Sequence, residues 1–337
     1  MSEKNLTKPF LTIAYATYNR KNIVLKRLNE VLNIENNNNL EIIFIDNFSS
    51  DKTYEELKKN NSNNFIKIYR NEVNKGFSGN FIEVMRKSKG EYTIWVSDED
   101  YVEKKKINEI ILFLKKNKPD ALVLNHYKKI NNSLLPLRIN RTKLINYQDL
   151  WETCHLPGNI WKKKSVEKIY SVWDEYKKLY PQLTKYYPNL IFMIKLLPCK
   201  NVFFFNNFLT FQKDFVKSSH VEKVGYSYSN LIPRWLQHNE IIKLINNSLS
   251  KEKNTDKDQI LIKLKINLNQ NIFTFLSNAI YQENKEVYYH FARSSFPKYI
   301  LKRNIKFILK SLKFIINSPM NSFKIIVKRL NAFYKAK

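Results

Sequence analysis

The first 127 residues alternate apolar runs with amphipathic stretches, and that alternation constrains the fold more than any other feature. Buried-strand runs fall at residues 10–16, 41–46, 65–70, 91–97 and 120–127. Between them, Ile23, Val24, Leu28, Val31 and Leu32 recur at helical spacing. Further helices are expected at 51–59, 77–87 and 102–115, the first of them capped by Ser49 or Ser50. Strands alternating with helices through short links predict an α/β fold: a mostly parallel, Rossmann-like sheet flanked by helices. Ligands in such sheets bind beyond the carboxyl ends of the strands.

That rule gathers four short segments, each directly after a strand. They are TYNR (17–20), DNFSSD (46–51), NEVNKGFSGN (71–80) and SDED (97–100). Asp98, Glu99 and Asp100 stand in a row where a strand ends, and such a run calls for a positive partner. Asp98 and Asp100 are two apart and share a side if the chain is extended. Two hard oxygen donors suit Mg²⁺ or Mn²⁺, whose shell substrate phosphates then complete; a solvated acidic turn is the simpler alternative. Asp46, followed by Asn47, can accept hydrogen bonds from a base or a ribose. Tyr18 can stack on a base, with Thr17 and Arg20 on the same loop. Lys75 can meet a phosphate, with Gly76 as the flexible position and Asn80 near by.

Several classes drop out. No GxGxxG follows the first strand, and no GxxxxGK[ST], HExxH or GxSxG occurs. The two cysteines are far apart, so neither a disulfide scaffold nor a thiolate zinc site is expected. The opening MSEKNLTKPF lacks the apolar run of a secretory signal, and no window approaches a membrane span.

Residues 10 to about 127 resemble the inverting-type family 2 glycosyltransferases of GT-A fold. The resemblance rests on LTIAYATYNR, EIIFIDNFSSDKT, NEVNKGFSGN and GEYTIWVSDED, four motifs in the family's order. It implies a GT-A catalytic domain over 1–230, with a nucleotide-sugar half at 1–127 and an acceptor half at 128–230. Tyr18 and Asp46 would hold the base, beside Thr17. Asp98 and Asp100 would bind the divalent cation and the sugar-nucleotide diphosphate, and Lys75 and Asn80 would line the same pocket. The cation would act as a Lewis acid on the leaving nucleoside diphosphate while an acceptor hydroxyl attacks the anomeric carbon. The chain departs from the common pattern in its second half, where no acidic residue lies between Glu175 and Asp214. Its Tyr-Pro-Gln there is similar to the abequosyl- and other deoxysugar transferases of O-antigen assembly. Asp149, Glu152 and His155 become the base candidates, ahead of a Pro-Gly-Asn turn similar to the family's acceptor-side loop.

The formal net charge is +28, and its placement matters. After Glu286 come twelve basic residues and no acidic one. From about 298 to 337, Lys302, Lys306, Lys310 and Lys313 oppose Ile305, Ile308, Leu309 and Leu312, the pattern of a basic amphipathic helix. Within a helical region over 231–337, such helices are expected to lie on an anionic membrane. The predicted protein is therefore a cytoplasmic glycosyltransferase, peripheral on the inner face of the membrane, acting on a glycan or glycolipid acceptor of lipopolysaccharide, O-antigen or capsule. No nucleic-acid motif accompanies the charge. A nucleotidyltransferase is the rival enzyme class, disfavoured because TYNRKN holds no glycine; a basic binding module is the non-enzymatic rival.

Overall fold

The computed structural model describes residues 8–34, 39–130, 133–136, 142–154, 156–199, 201–212 and 231–249. The chain divides into two compact units, Met1–Ser227 with Pro233–Leu264, and Tyr228–Ile232 with Lys265–Lys337. All elements below belong to the first, save the opening residues of the last helix. The expected basic helices at 298–337 lie outside the described residues.

The strands are β1 (Leu11–Thr17), β2 (Leu40–Asp46), β3 (Ile66–Arg70), β4 (Tyr92–Ser97), β5 (Asp100–Val102), β6 (Ala121–Ile130), β7 (Ser133–Pro136), β8 (Lys143–Leu144), β9 (Asn159–Lys162) and β10 (Val202–Gln212). The sheet runs β3-β2-β1-β4-β9-β6-β10-β5, with β7 beside β6 and β8 beside β10. The first four are mutually parallel, with Thr17 level with Asp46 and Ala16 level with Ser97. From β4 onward the pairing becomes mixed. Short β9 is antiparallel to both β4 and β6, whereas β6 and β10 are parallel.

The helices are α1 (Lys21–Val31), α2 (Thr53–Asn60), α3 (Gly76–Lys87), α4 (Ile107–Asn117), α5 (Lys163–Ser171), α6 (Trp173–Leu179), α7 (Pro181–Tyr186), α8 (Pro188–Leu196) and α9 (Leu231–Leu249). One sheet face packs Leu11, Ile13, Phe44, Ile94, Val96 and Leu122 against Val24 and Leu28 of α1, Leu57 of α2, and Ile110 and Leu114 of α4. On the other side Phe81 of α3, Trp161 of β9 and Phe192 of α8 meet edge-on or tilted, at 5.3–5.8 Å between ring centres. Such aromatic contacts add to the burial of apolar area. Proline opens both α7 and α8, where its missing N–H costs no helical bond.

Two local expectations are corrected. The helix expected at 102–115 begins later: Asp100–Val102 is strand, because its backbone pairs with Thr210–Gln212 of β10, and a 3-10 turn (Lys104–Lys106) then leads into α4. The serines do not cap α2. Asp51 accepts the Thr53 N–H at 3.1 Å instead, while the Ser49 N–H donates to Asp46.

Opposite the site edge, a buried polar knot ties β1, β2 and the turn before β4. The Thr12 hydroxyl donates to Glu41 at 2.6 Å, the Lys89 N–H donates to the same carboxylate at 2.7 Å, and the Gly90 N–H donates to Thr12 at 2.9 Å. A β-carbon on Gly90 would stand 2.6 Å from Thr12 Oγ1 and 2.7 Å from both the Thr12 nitrogen and the Tyr92 carbonyl oxygen. Two of these are backbone atoms, so little can give way. Gly90→Ala is expected to destabilise this unit by ~1–3 kcal/mol, as overpacking does, read as a lowered melting midpoint. An unchanged midpoint would count against this packing.

Candidate active site

Parallel β1 and β4 end side by side, which brings the residues after each together. The Thr17 hydroxyl donates to Asp98 Oδ2 at 2.8 Å. Arg20, just before α1, reaches Asp98 Oδ1 at 2.7 Å and Glu99 Oε1 at 2.6 Å. In this structure the positive group against the acidic turn is Arg20. Burial works against its charge, but the two carboxylates outweigh that and hold the guanidinium more firmly protonated than usual. Burial pushes the Glu99 carboxyl up, with Arg20 opposing.

Asp98 and Asp100 do not share an environment. Both are buried, but Asp98 lies in the turn held by Thr17 and Arg20, whereas Asp100 begins β5. Burial, then Glu99 and Asp98, raise its pKa to about 8, against a pull downward from Arg27. His126 Nε2 stands 3.6 Å from Asp100 Oδ1, and His126 Nδ1 stands 3.2 Å from the Thr210 hydroxyl. Arg27 stacks on Tyr101 with its guanidinium carbon 3.3 Å from the ring centre. Arg27 lies in α1, seven positions on from Arg20, which directly precedes the helix. Asp100 Oδ2, Arg27 Nε and Nη1 and the Tyr15 hydroxyl are buried with no hydrogen-bond partner among the described residues.

A second locus forms where β2 and β3 end. Asn47 ties its own turn to the segment after β3: its amide donates to Asn74 Oδ1 (2.9 Å) and the Gly76 carbonyl (3.3 Å), and its oxygen accepts the Lys75 N–H (3.0 Å) and the Asn71 amide (2.9 Å). Asn71 also donates to Asn80 at 3.1 Å. The first loop joins through Asn19, whose N–H donates to Ser49 Oγ and whose oxygen accepts the Ser50 N–H, both at 2.8 Å. Buried Asp46 accepts the Ser49 N–H at 3.0 Å and pairs with Arg70 Nε at 3.5 Å, while its Oδ1 has no hydrogen-bond partner among the described residues. Burial raises the Asp46 pKa despite the Ser49 bonds and Arg70. Lys75 pairs with Glu83 at 3.0 Å, so its charge is already matched. Tyr18 is half-buried beside this locus.

Phe48 stands out. Its φ is +64°, a left-handed conformation that costs a residue with a β-carbon roughly 1–2 kcal/mol, and its side chain is 47% exposed. The Arg70 guanidinium lies over the ring at 5.1 Å.

The structure brings together Thr17, Arg20, Asp98 and Glu99, with Asp100 behind them, and separately Asp46, Asn47, Gly76 and Asn80. The backbone N–H of Lys75 joins the second group. Sequence reasoning missed Asn19, Arg27, Phe48, Arg70, Asn71, Asn74 and His126. Asn71 and Asn74 lay inside a recognised strand-end segment; Arg27 and His126 gave no sequence signal, since both belong to regular elements. Asp149 accepts hydrogen bonds from the Lys143 ammonium and from the Asn146 N–H (3.1 Å), at the start of a 3-10 helix (Tyr147–Thr153). Glu152 belongs to that helix, and His155 lies outside the described residues. In the Tyr-Pro-Gln segment, the Gln182 and Leu183 N–H groups at the start of α7 donate to Glu240 of α9. No group of three or more His, Cys, Asp or Glu that would hold a metal ion occurs among the described residues. Carboxylate oxygens are the hard donors that a divalent cation takes; those of Asp98 and Glu99 are paired with Arg20, and Asp100 Oδ2 has no hydrogen-bond partner among the described residues.

Residues 12–168 match the model of glycosyl transferase family 2. An uncharacterized glycosyltransferase of Mycoplasma genitalium is 28% identical over 123 residues, 35% of this chain and 41% of that protein. The match thus spans less than half the length of that relative. Among solved structures, residues 1–349 of S. aureus TarS in complex with UDP-GlcNAc superpose with a TM-score of 0.58 at 16% identity, covering 76% of this chain and 71% of that one. The same protein with UDP gives 0.56 at 16% identity, covering 76% and 70%. The fold is that of the GT-A glycosyltransferases, an α/β architecture with a mixed sheet flanked by helices, and the family 2 pattern runs through its N-terminal half.

Arg20→Gln removes the cation from Asp98 and Glu99. The carboxyls of Glu99 and Asp100 are already raised, and raised carboxyls cost more stability as pH climbs through their folded values. The variant is expected to melt well below the wild type at about pH 8, with the gap narrowing towards about pH 5 as the turn takes up protons. A gap independent of pH would refute the assigned role of Arg20.

Proposed function

We propose that this protein transfers a sugar from a nucleoside-diphosphate donor to an acceptor hydroxyl. The observation that carries the reading is the acidic turn Asp98–Asp100, set at the carboxyl edge of a GT-A sheet beside Thr17 and Arg20. A nucleoside diphosphate is anionic, and near it three carboxylates repel unless a cation intervenes. A divalent cation held by Asp98 and Asp100, with Glu99 beside them, would supply that charge and act as a Lewis acid towards the leaving diphosphate. The chain's own residues do the rest. Thr17 orients Asp98, Arg20 sets the charge balance of the turn, and Tyr18, Asp46 and Asn47 receive the nucleoside. Lys75, Gly76 and Asn80 form the adjoining wall. With Asp149 engaged by Lys143 and Asn146, Glu152 and His155 are the proposed bases for the acceptor hydroxyl.

We place the acceptor among bacterial surface glycans or glycolipids, such as lipopolysaccharide, O-antigen or capsule, made at the cytoplasmic face of the membrane. The support is the basic run after Glu286, which suits an anionic lipid surface. No described helix is long and apolar enough to cross a membrane.

Thermal shift tests the donor site. UDP, GDP, CDP and dTDP are each added with and without Mn²⁺. One nucleotide is expected to raise the wild-type melting midpoint only with metal, by the linkage of binding to stability. Asp98→Asn and Asp100→Asn are expected to fold and to lose that shift together with sugar transfer. Full activity in both variants would overturn the metal assignment. For the surface reading, truncation after Glu286 is expected to move the protein from the anionic-vesicle pellet to the supernatant, and equal pelleting would rule it out.

A further inference from the structure

Phe48 combines three properties that ordinary surface phenylalanines lack together. Its backbone is in a strained left-handed conformation, its ring is about half exposed, and the exposed ring has a fixed backing. The backing is Arg70. Arg70 Nε pairs with Asp46 at 3.5 Å, Nη1 with Glu55 at 2.8 Å, and Nη2 donates to the Ser49 carbonyl at 2.9 Å. Three contacts immobilise the guanidinium, and a ring resting on it is held too. Strain at a bulky, exposed residue gains nothing from burial, and such outliers persist where the surroundings impose them, commonly at ligand sites.

The turn's position indicates the ligand. Asp98 follows β4, Phe48 follows β2, and β1 lies between them. The acidic turn and the ring are thus two strand spacings apart, about 10 Å, a span a nucleoside bridges between its phosphates and its base. Both ends are tied to the loop after β1, the acidic turn through Thr17 and Arg20 and the Phe48 turn through Asn19. The chain on either side of the ring is polar and buried: Asp46 and Asn47 precede Phe48 and Ser49 follows it, and Asp46 Oδ1 has no hydrogen-bond partner among the described residues. An exposed flat ring next in the chain to such polar groups suits a nucleobase, which has a flat face and a hydrogen-bonding edge. A lipid chain would call instead for a continuous apolar patch; the other exposed apolar side chains on this edge, Val73 and Phe77, stand in the segment after β3 and at the start of α3.

We propose that Phe48 is the stacking platform for the nucleobase of the donor, held in place by Arg70. This rests on the sugar-transfer reading above and adds to it a base-contacting residue.

The test is calorimetric titration of the full chain with UDP, GDP, CDP and dTDP plus Mn²⁺, and with inorganic pyrophosphate plus Mn²⁺ as a probe lacking a base. Phe48→Leu is expected to weaken the preferred nucleotide about tenfold or more, the scale of losing base–aromatic stacking, while leaving pyrophosphate unaffected. Phe48→Tyr is expected to bind like the wild type. Phe48→Gly relieves the positive φ, so its melting midpoint is expected at or above that of the wild type even as nucleotide binding falls. Wild-type affinity for the nucleotide in Phe48→Leu and Phe48→Gly would overturn the platform and leave sugar transfer standing. So would equal losses for nucleotide and pyrophosphate, or a loss of vesicle pelleting alone, which would make Phe48 a lipid contact. If the wild type binds none of the four nucleotides, the transfer reading fails and the platform fails with it.

Discussion

Three consecutive carboxylates at the end of a buried strand are an electrostatic problem, and much of the site is arranged around its solution. The stretch from Arg20 into α1 answers it twice. Arg20 meets Asp98 and Glu99 where they reach the strand end, and Arg27, two turns on, acts on Asp100 from behind. The interaction is strong because the groups are mostly removed from water, where the effective dielectric is lower. It also fixes the start of α1 against the end of β4, so the helix that covers one sheet face is registered by the charges it neutralises. The balance is poised. A divalent cation arriving with a diphosphate would meet a turn in which the carboxyls of Glu99 and Asp100 are already raised and Arg20 is paired with Asp98 and Glu99.

The second locus is organised by hydrogen bonds between neutral groups. Asn47, Asn71, Asn74 and Asn80 form a mesh across two loops and the start of α3, and Asn19 extends it to a third loop. Asparagine suits this because one side chain both donates and accepts. Loops at a strand edge have no ladder to satisfy their backbone, and Asn19, Asn47 and Asp51 provide partners for loop N–H groups. The strained φ at Phe48 survives inside that mesh, since the bonds on either side of it would have to break to release it.

The parallel half of the fold was legible because each strand there is followed by the helix that covers it, so local pattern and tertiary pairing agree. The second half was not. β9 is four residues long and inserts between two strands that come earlier in the chain. Val102 reads as a helix start, yet Asp100–Val102 pairs with β10 more than a hundred residues away. A pairing of that range leaves no periodic trace. The site divides in the same way. The strand-end rule located Thr17, Asp46, Asn47, Asn80 and Asp98, whereas Arg27, Arg70 and His126 reach their places only through packing.

The sequence alone determined the alternation of strand and helix, the edge where chemistry belongs, and the excess of negative charge in one turn there. These follow from periodicity, from the direction of parallel strands and from residue identity. Only the tertiary structure decided which cation meets which carboxylate, that Asp98 and Asp100 occupy different surroundings, and that Phe48 is held open on a bed of arginine. The physical reason is the same in each case. Charge pairing, burial and strain depend on distances between segments far apart in the chain, and those distances exist only after folding.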